Sequence, residues 1–189
     1  MKTEEKKAAI EYKEKLQEAA ANAIAGRFDF KEYYGLSDGN LESIYGIGHE
    51  MYKHKQYEKA KGVFALLSLL EPKSQKYMSA CGSACFMLKD YSAAAQYFRM
   101  AIIIGDVTPK MLMRIAECTI RLDQVDDTKR YLSELIRVAS KKEFLGDKES
   151  QSCKVKAEMM LGVIKSAEEK EKKEAAEKSK AVGQSNSKK

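Results

Sequence analysis

Residues 52–64, YKHKQYEKAKGVF, are answered 34 positions later by residues 86–98, FMLKDYSAAAQYF. Each segment carries a Tyr, an Ala three positions on, and a Phe four beyond that. The register runs through three copies. Gly48 falls on Gly82 and Ala116, Ile44 on Met78 and Leu112, and Ile47 on Cys81 and Ile115. Tyr57 falls on Tyr91 and Val125, Ala60 on Ala94 and Thr128, Phe64 on Phe98 and Leu132, and Leu67 on Ala101 and Leu135. A chain constrained in this way builds one supersecondary unit repeatedly, and each unit needs a neighbour to bury its apolar stripe.

Small residues at two fixed places, with an aromatic four after the second, are the tetratricopeptide pattern. Each unit is then a pair of antiparallel helices. The Gly or Ala lets the two backbones approach, and larger side chains fill the gaps around that contact. The expected fold class is all-α: three such repeats in a right-handed solenoid, with an N-terminal helix and a C-terminal capping helix. First helices are expected at 41–54, 75–88 and 109–122, and their partners at 57–70, 91–104 and 125–139. Asn40 and Ser74 are the expected caps of the first two units, and Thr108 followed by Pro109 opens the third. Ile44, Ile47, Gly48 and Met51 are expected to face the partner helix. Thr128 stands where the third repeat should have its small residue.

The organisation follows. Residues 1–35 are an N-terminal helix and connector, with Tyr12, Leu16, Ala19, Ala20 and Ala23 as a thin apolar stripe that needs a partner, such as a second copy. Residues 36–165 are the repeat domain, with units at about 41–74, 75–108 and 109–142 and a cap at 148–165 in which Cys153, Ala157, Met160 and Ile164 share a face. Residues 166–189 are polar all round and read as a charged, partly disordered tail.

Catalytic chemistry finds no constellation. His49 and His54 lie five apart on a helix, turned by roughly 500°, so they cannot share a ligand. Cys81 and Cys85 share a face but occupy core positions. The four cysteines fall within apolar patterns, as small hydrophobes in a reducing compartment do. GIGHE at 46–50 has no strand before it and no third glycine, so it is no phosphate loop. No cofactor or metal is expected. The net charge of +6 does not call for a nucleic-acid partner, and acidic residues are mixed into both lysine-rich ends. No apolar run approaches the ~18 residues that span a bilayer, and the N-terminus has no signal-peptide core.

The informative feature is a surface. Tyr45, His49 and Tyr52, spaced i, i+4, i+7, form a second face of the first helix. Their equivalents are Ser79, Ser83 and Phe86, with Met87 beside them, and then Met113, Glu117 and Ile120. Stacked repeats align these faces into a concave groove suited to an extended peptide with apolar anchors. The competing assignment has these residues half-buried under another segment. A groove for acidic C-terminal peptides would need Asn and Lys along its first helices, and no Asn occurs between Asn40 and Asn186.

LSDGNLESIYGIGHEMYKHKQYEKAKGVFALLSLLEP, YMSACGSACFMLKDYSAAAQYFRMAIIIGDVTP and MRIAECTIRLDQVDDTKRYL resemble the three repeats of the class II chaperones of bacterial type III secretion, the LcrH/SycD/IpgC family. The resemblance covers about 36–165. It implies a non-catalytic chaperone of the bacterial cytoplasm. Such a chaperone binds the N-terminal segment of hydrophobic translocator or effector proteins and keeps them soluble and secretion-competent. It also implies homodimerisation and no stable membrane insertion, and it carries groove positions onto Tyr45, His49, Tyr52 and Phe86. A general repeat scaffold joining two soluble proteins is the alternative reading. An adaptor working through the basic ends on nucleic acid or membrane is a third.

Overall fold

A computed structural model describes residues 30–105 and 107–186. The expected helix at 3–25 lies outside the described residues, as do the last three positions of the tail. Among the described residues all regular structure is helical. The chain divides into two compact units between positions 106 and 107.

The first unit holds a short helix α1 (Phe30–Tyr33), then α2 (Asp38–Lys53), α3 (Tyr57–Leu70), α4 (Gln75–Met87) and α5 (Tyr91–Ile104). α2 and α3 pack as one hairpin and α4 and α5 as the next, α4 also packs against α3, and the short α1 rests on α3. The core gathers Phe30, Leu41, Ala60, Phe64, Leu67, Leu70, Tyr77, Cys81 and Ala84. At Gly48 an added Cβ would stand 2.7 Å from Phe64 Cε1 and 2.9 Å from Val63 Cγ1. At Gly82 the same atom would meet the Phe98 ring at 3.0 Å. The glycines are therefore what the paired helices close upon.

The second unit holds α6 (Pro109–Arg121), α7 (Val125–Ala139), a 3-10 turn (Lys142–Phe144) and α8 (Lys148–Asn186). α6 and α7 form the third hairpin, and α8 packs on both. Ala157 is fully buried, while Cys153, Met160 and Ile164 are half-buried beside it. Gln151 Nε2 ties α8 down by donating to the Ala139 and Phe144 carbonyls, each at 2.9 Å. Further along, Lys129 Nζ donates to Glu168 at 2.6 Å. The helix runs on past 165 to Asn186 rather than ending where its apolar stripe ends.

The repeat is written in the backbone as well as in the side chains. Lys55, Lys89 and Asp123 take the left-handed conformation, with φ of 60°, 63° and 58°. They stand 34 positions apart and close the first helix of each hairpin. Around each, two backbone bonds satisfy the last carbonyls. Lys55 and Gln56 donate to Tyr52 and Met51, Lys89 and Asp90 to Phe86 and Cys85, and Asp123 and Gln124 to Ile120 and Thr119. This is the 6→1 and 5→2 pairing of a Schellman cap, built here without glycine.

Three expectations change. The cap of α2 is Ser37, not Asn40. Ser37 Oγ accepts from the Asn40 amide at 3.2 Å, and Asn40 Oδ1 accepts from the Ser37 amide at 2.9 Å, so Asn40 is the third-position half of a capping box. Ser74 holds the N-cap position of α4 without a side-chain bond, whereas Thr108 accepts from the Met111 amide at 3.4 Å as expected. Ile47 does not face the partner helix and is 55% exposed. The buried line of α2 runs through Leu41 and Gly48, and Ile47 lies about 100° around the helix from Gly48. Thr128 fits without a small side chain because its hydroxyl is paired. It is fully buried and donates to Thr119 Oγ1 at 2.9 Å, and Thr119 donates to the Ala116 carbonyl at 3.1 Å.

Candidate functional site

In the first unit, α2 and α4 hold equivalent places in successive hairpins. Lys76 Nζ donates to both oxygens of Glu42, at 2.6 and 2.8 Å, across one repeat. The same ammonium sits 3.9 Å from the centroid of the Tyr45 ring, within range of a cation–π contact. Beneath it Tyr45 is half-buried, with ring centroids 5.6 Å from Phe64 and 5.9 Å from Tyr77. His49 is exposed and stacks on Tyr45 at 6.1 Å with 22° between the planes.

The next turn repeats a motif. Tyr52 meets Tyr57 edge-on at 5.3 Å, and one repeat later Phe86 meets Tyr91 edge-on at 5.4 Å. Such pairs favour this geometry because a ring's positive edge meets the other's negative face. Each spans its hairpin turn, joining the last turn of one helix to the first residue of the next. Ser79 and Ser83 are half-buried, and Ser83 Oγ donates to the Ser79 carbonyl at 2.8 Å, leaving a small, internally satisfied stretch of helix surface. Met87, at the end of α4, is 42% exposed.

In the second unit, Ile120 is 41% exposed and Glu117 pairs with Arg114 at 3.0 Å. Met113 corrects the sequence assignment, being only 5% exposed. The buried band of α6 also takes in Leu112, Ile115, Ala116, Cys118 and Thr119, wide enough to swallow a position that i, i+4 spacing sets on another face. The sequence reading missed Glu42 and Lys76. Their signal was opposite charge at equivalent positions of two repeats, where stacked helices bring side chains together.

The Cys85 thiol is pushed up by its hydrogen bond with Cys81 and by burial. The Tyr97 hydroxyl is pushed up to about 12 by its bond to Cys81 and by burial. A thiol held neutral in a closed core packs as a hydrophobe and is a poor nucleophile. Among the described residues no group of three His, Cys, Asp or Glu side chains is placed to hold a metal. No helix there is long and apolar enough to cross a membrane.

The Tetratricopeptide repeat family matches residues 41–73 and 76–106. A comparison of the sequence with curated proteins gives no match. Among solved structures, the chain is similar to PcrH of Pseudomonas aeruginosa in complex with the chaperone binding region of PopD. That match has 21% identity and a TM-score of 0.63, over 71% of this chain and 97% of that one. It is similar to the type III secretion chaperone SycD of Yersinia enterocolitica in complex with a peptide of the translocator YopD, with 21% identity and a TM-score of 0.60, over 70% and 97%. A type III secretion complex from Aeromonas hydrophila matches at 18% identity and a TM-score of 0.66, over 75% and 91%. At these identities the likeness is one of fold: the chain is built of helical hairpins of the tetratricopeptide kind, as the translocator chaperones are.

Proposed function

We propose that the chain is a non-catalytic chaperone of type III secretion. It captures an apolar segment of a translocator protein in the bacterial cytoplasm and keeps that client soluble until export. The observation that carries this reading is the match over nearly the whole of PcrH, a chain seen with a translocator's chaperone-binding region in place. The face of α2 and α4 supports it chemically. Tyr45, His49, Tyr52, Phe86 and Met87 offer apolar and aromatic surface beside Ser79 and Ser83, whose short side chains leave room for a bound backbone. Glu117 and Ile120 hold the corresponding positions of the repeat in the second unit. Binding then proceeds by apolar burial and a few side-chain pockets, each anchor worth ~1–3 kcal/mol. No bond is made or broken and no cofactor is required. A homodimer is part of this reading.

The test is co-expression of the full chain with a candidate translocator, measuring the client that stays soluble and co-purifies. His49 and Met87 are exposed enough to change without dismantling the core. His49→Asp and Met87→Asp are expected to weaken capture by roughly tenfold or more each, with helicity and melting unchanged. Client that is equally soluble without the chain, or equally bound by both variants, defeats the reading.

A further inference from the structure

The outer side of α2 is open where its counterparts are closed. Ile47, Cys81 and Ile115 hold one position of the repeat, and they are 55%, 0% and 0% exposed. Cys85 and Thr119 are buried, while their counterpart Met51 is only half-buried. Cys81 is covered from α3, where the Lys61 carbonyl lies 4.0 Å from its Sγ. Among the described residues no hairpin precedes α2 to supply such a cover. What is left there is a narrow line, Ile44, Ile47 and Met51, at i, i+3, i+7. Its margins are the exposed polar residues Ser43, Glu50 and His54. The counterparts of Ser43 and Glu50 in the second repeat are Tyr77 and Ala84, 5% and 0% exposed. α2 is therefore polar where later first helices are greasy, and it suits a thin partner rather than another full hairpin.

We propose that residues 12–23 of the same chain lie along this line and form, in cis, the first layer of the stack. At helical spacing their apolar residues, Tyr12, Leu16, Ala19, Ala20 and Ala23, would share a stripe as narrow as the one on α2. Alanines allow close approach to the bulky Ile and Met side chains, the same small-against-large packing that closes each hairpin. The entry point fits. The described chain begins at Phe30, which shares a core cluster with Leu41 at the start of α2. Seven residues from Ala23 to Phe30 reach up to ~24 Å, while Leu41 to Met51 is only ~15 Å along the helix. A tether that short gives an effective concentration in the millimolar range, which favours the chain's own segment over a second copy.

Hydrogen exchange and brief trypsin digestion of the full chain test this. In the unaltered protein, residues 12–23 are expected to exchange about tenfold or more slowly than free chain. Lys13 and Lys15 should resist cleavage equally at every dilution. Ile47→Asp should abolish both effects while α3–α5 keep their exchange rates. Leu16→Asp should do the same from the other side and speed exchange of α2; it decides the matter if Ile47→Asp disturbs the hairpin. Free-chain exchange at 12–23 overturns the proposal, and so does protection that neither variant alters. Protection that fades on dilution as a dimer dissociates assigns the line to a second copy and overturns it equally.

Discussion

At the residue scale, three glycines in similar helices should respond to alanine in three ways. Replacing Gly by Ala inside a helix is worth up to ~1 kcal/mol of propensity. At Gly62 nothing lies within 4 Å of the new Cβ, so Gly62→Ala should raise stability by about that amount. At Gly82 the Cβ meets only the Phe98 ring, at 3.0 Å, and a small ring shift should leave Gly82→Ala within ~1 kcal/mol of the parent. At Gly48 two core side chains stand closer than 3.0 Å, and Gly48→Ala should cost ~1–3 kcal/mol despite its better propensity. Urea melts of the full chain check the order. A reversal of Gly48 and Gly62 would mean that the helices do not close on this contact. Lys89→Gly belongs with them: relieving a left-handed lysine should gain ~0.5–1 kcal/mol. Tyr45 is a poor probe of binding for the same kind of reason. Its contacts with Phe64 and Tyr77 mean that Tyr45→Ala should lose ~1–3 kcal/mol of stability whatever it does to a client.

At the scale of elements, the partner helices begin and end where the 34-residue register put them, at Tyr57–Leu70, Tyr91–Ile104 and Val125–Ala139. Periodicity reveals this much because each hairpin buries the same stripe. It does not reveal which of two capping residues wins. Ser37 and Asn40 both suit an N-cap, and only the reciprocal bonding in three dimensions separates them. Nor does a 100° projection resolve Ile47 or Met113, since burial at those positions depends on which neighbours a face has and how wide its buried band runs. The start of α8 carries a test. Asp147 accepts from the Ser150 hydroxyl and from the Ser150 and Glu149 amides, and these bonds hold its carboxyl below the usual range. A carboxyl depressed in the folded state stabilises fully above its ordinary value of about 3.9. That contribution is lost as pH falls through the lower folded value. Asp147→Ala should therefore melt earlier than the parent at neutral pH, and the gap should close in strong acid. A gap that persists there would show that the carboxylate charge is not what caps the helix.

At the scale of the whole molecule, the question is what force holds a partner. Lysine and arginine outnumber acidic residues by 34 to 28, and many of these charges are already paired at short range. Lys76 answers Glu42, Lys110 answers Glu149, Arg137 answers Glu134, and Lys129 answers both Asp126 and Glu168. Among the described residues these paired charges offer few counterion-releasing contacts, whereas the exposed and half-buried rings and methionine on α2 and α4 offer apolar area. The two modes differ in their response to salt. A protein that neutralises several phosphates loses roughly 10³–10⁵ in affinity when salt rises from about 50 to 200 mM. Capture by apolar burial should change by less than about threefold over the same range, because screening acts on charges and not on buried hydrocarbon. Titrating a co-purified client segment against the full chain at several salt concentrations separates them. A steep loss would move the binding from the α2 and α4 face to the lysine-rich ends. A flat response, together with weakened capture by Met87→Asp, would put it on that face.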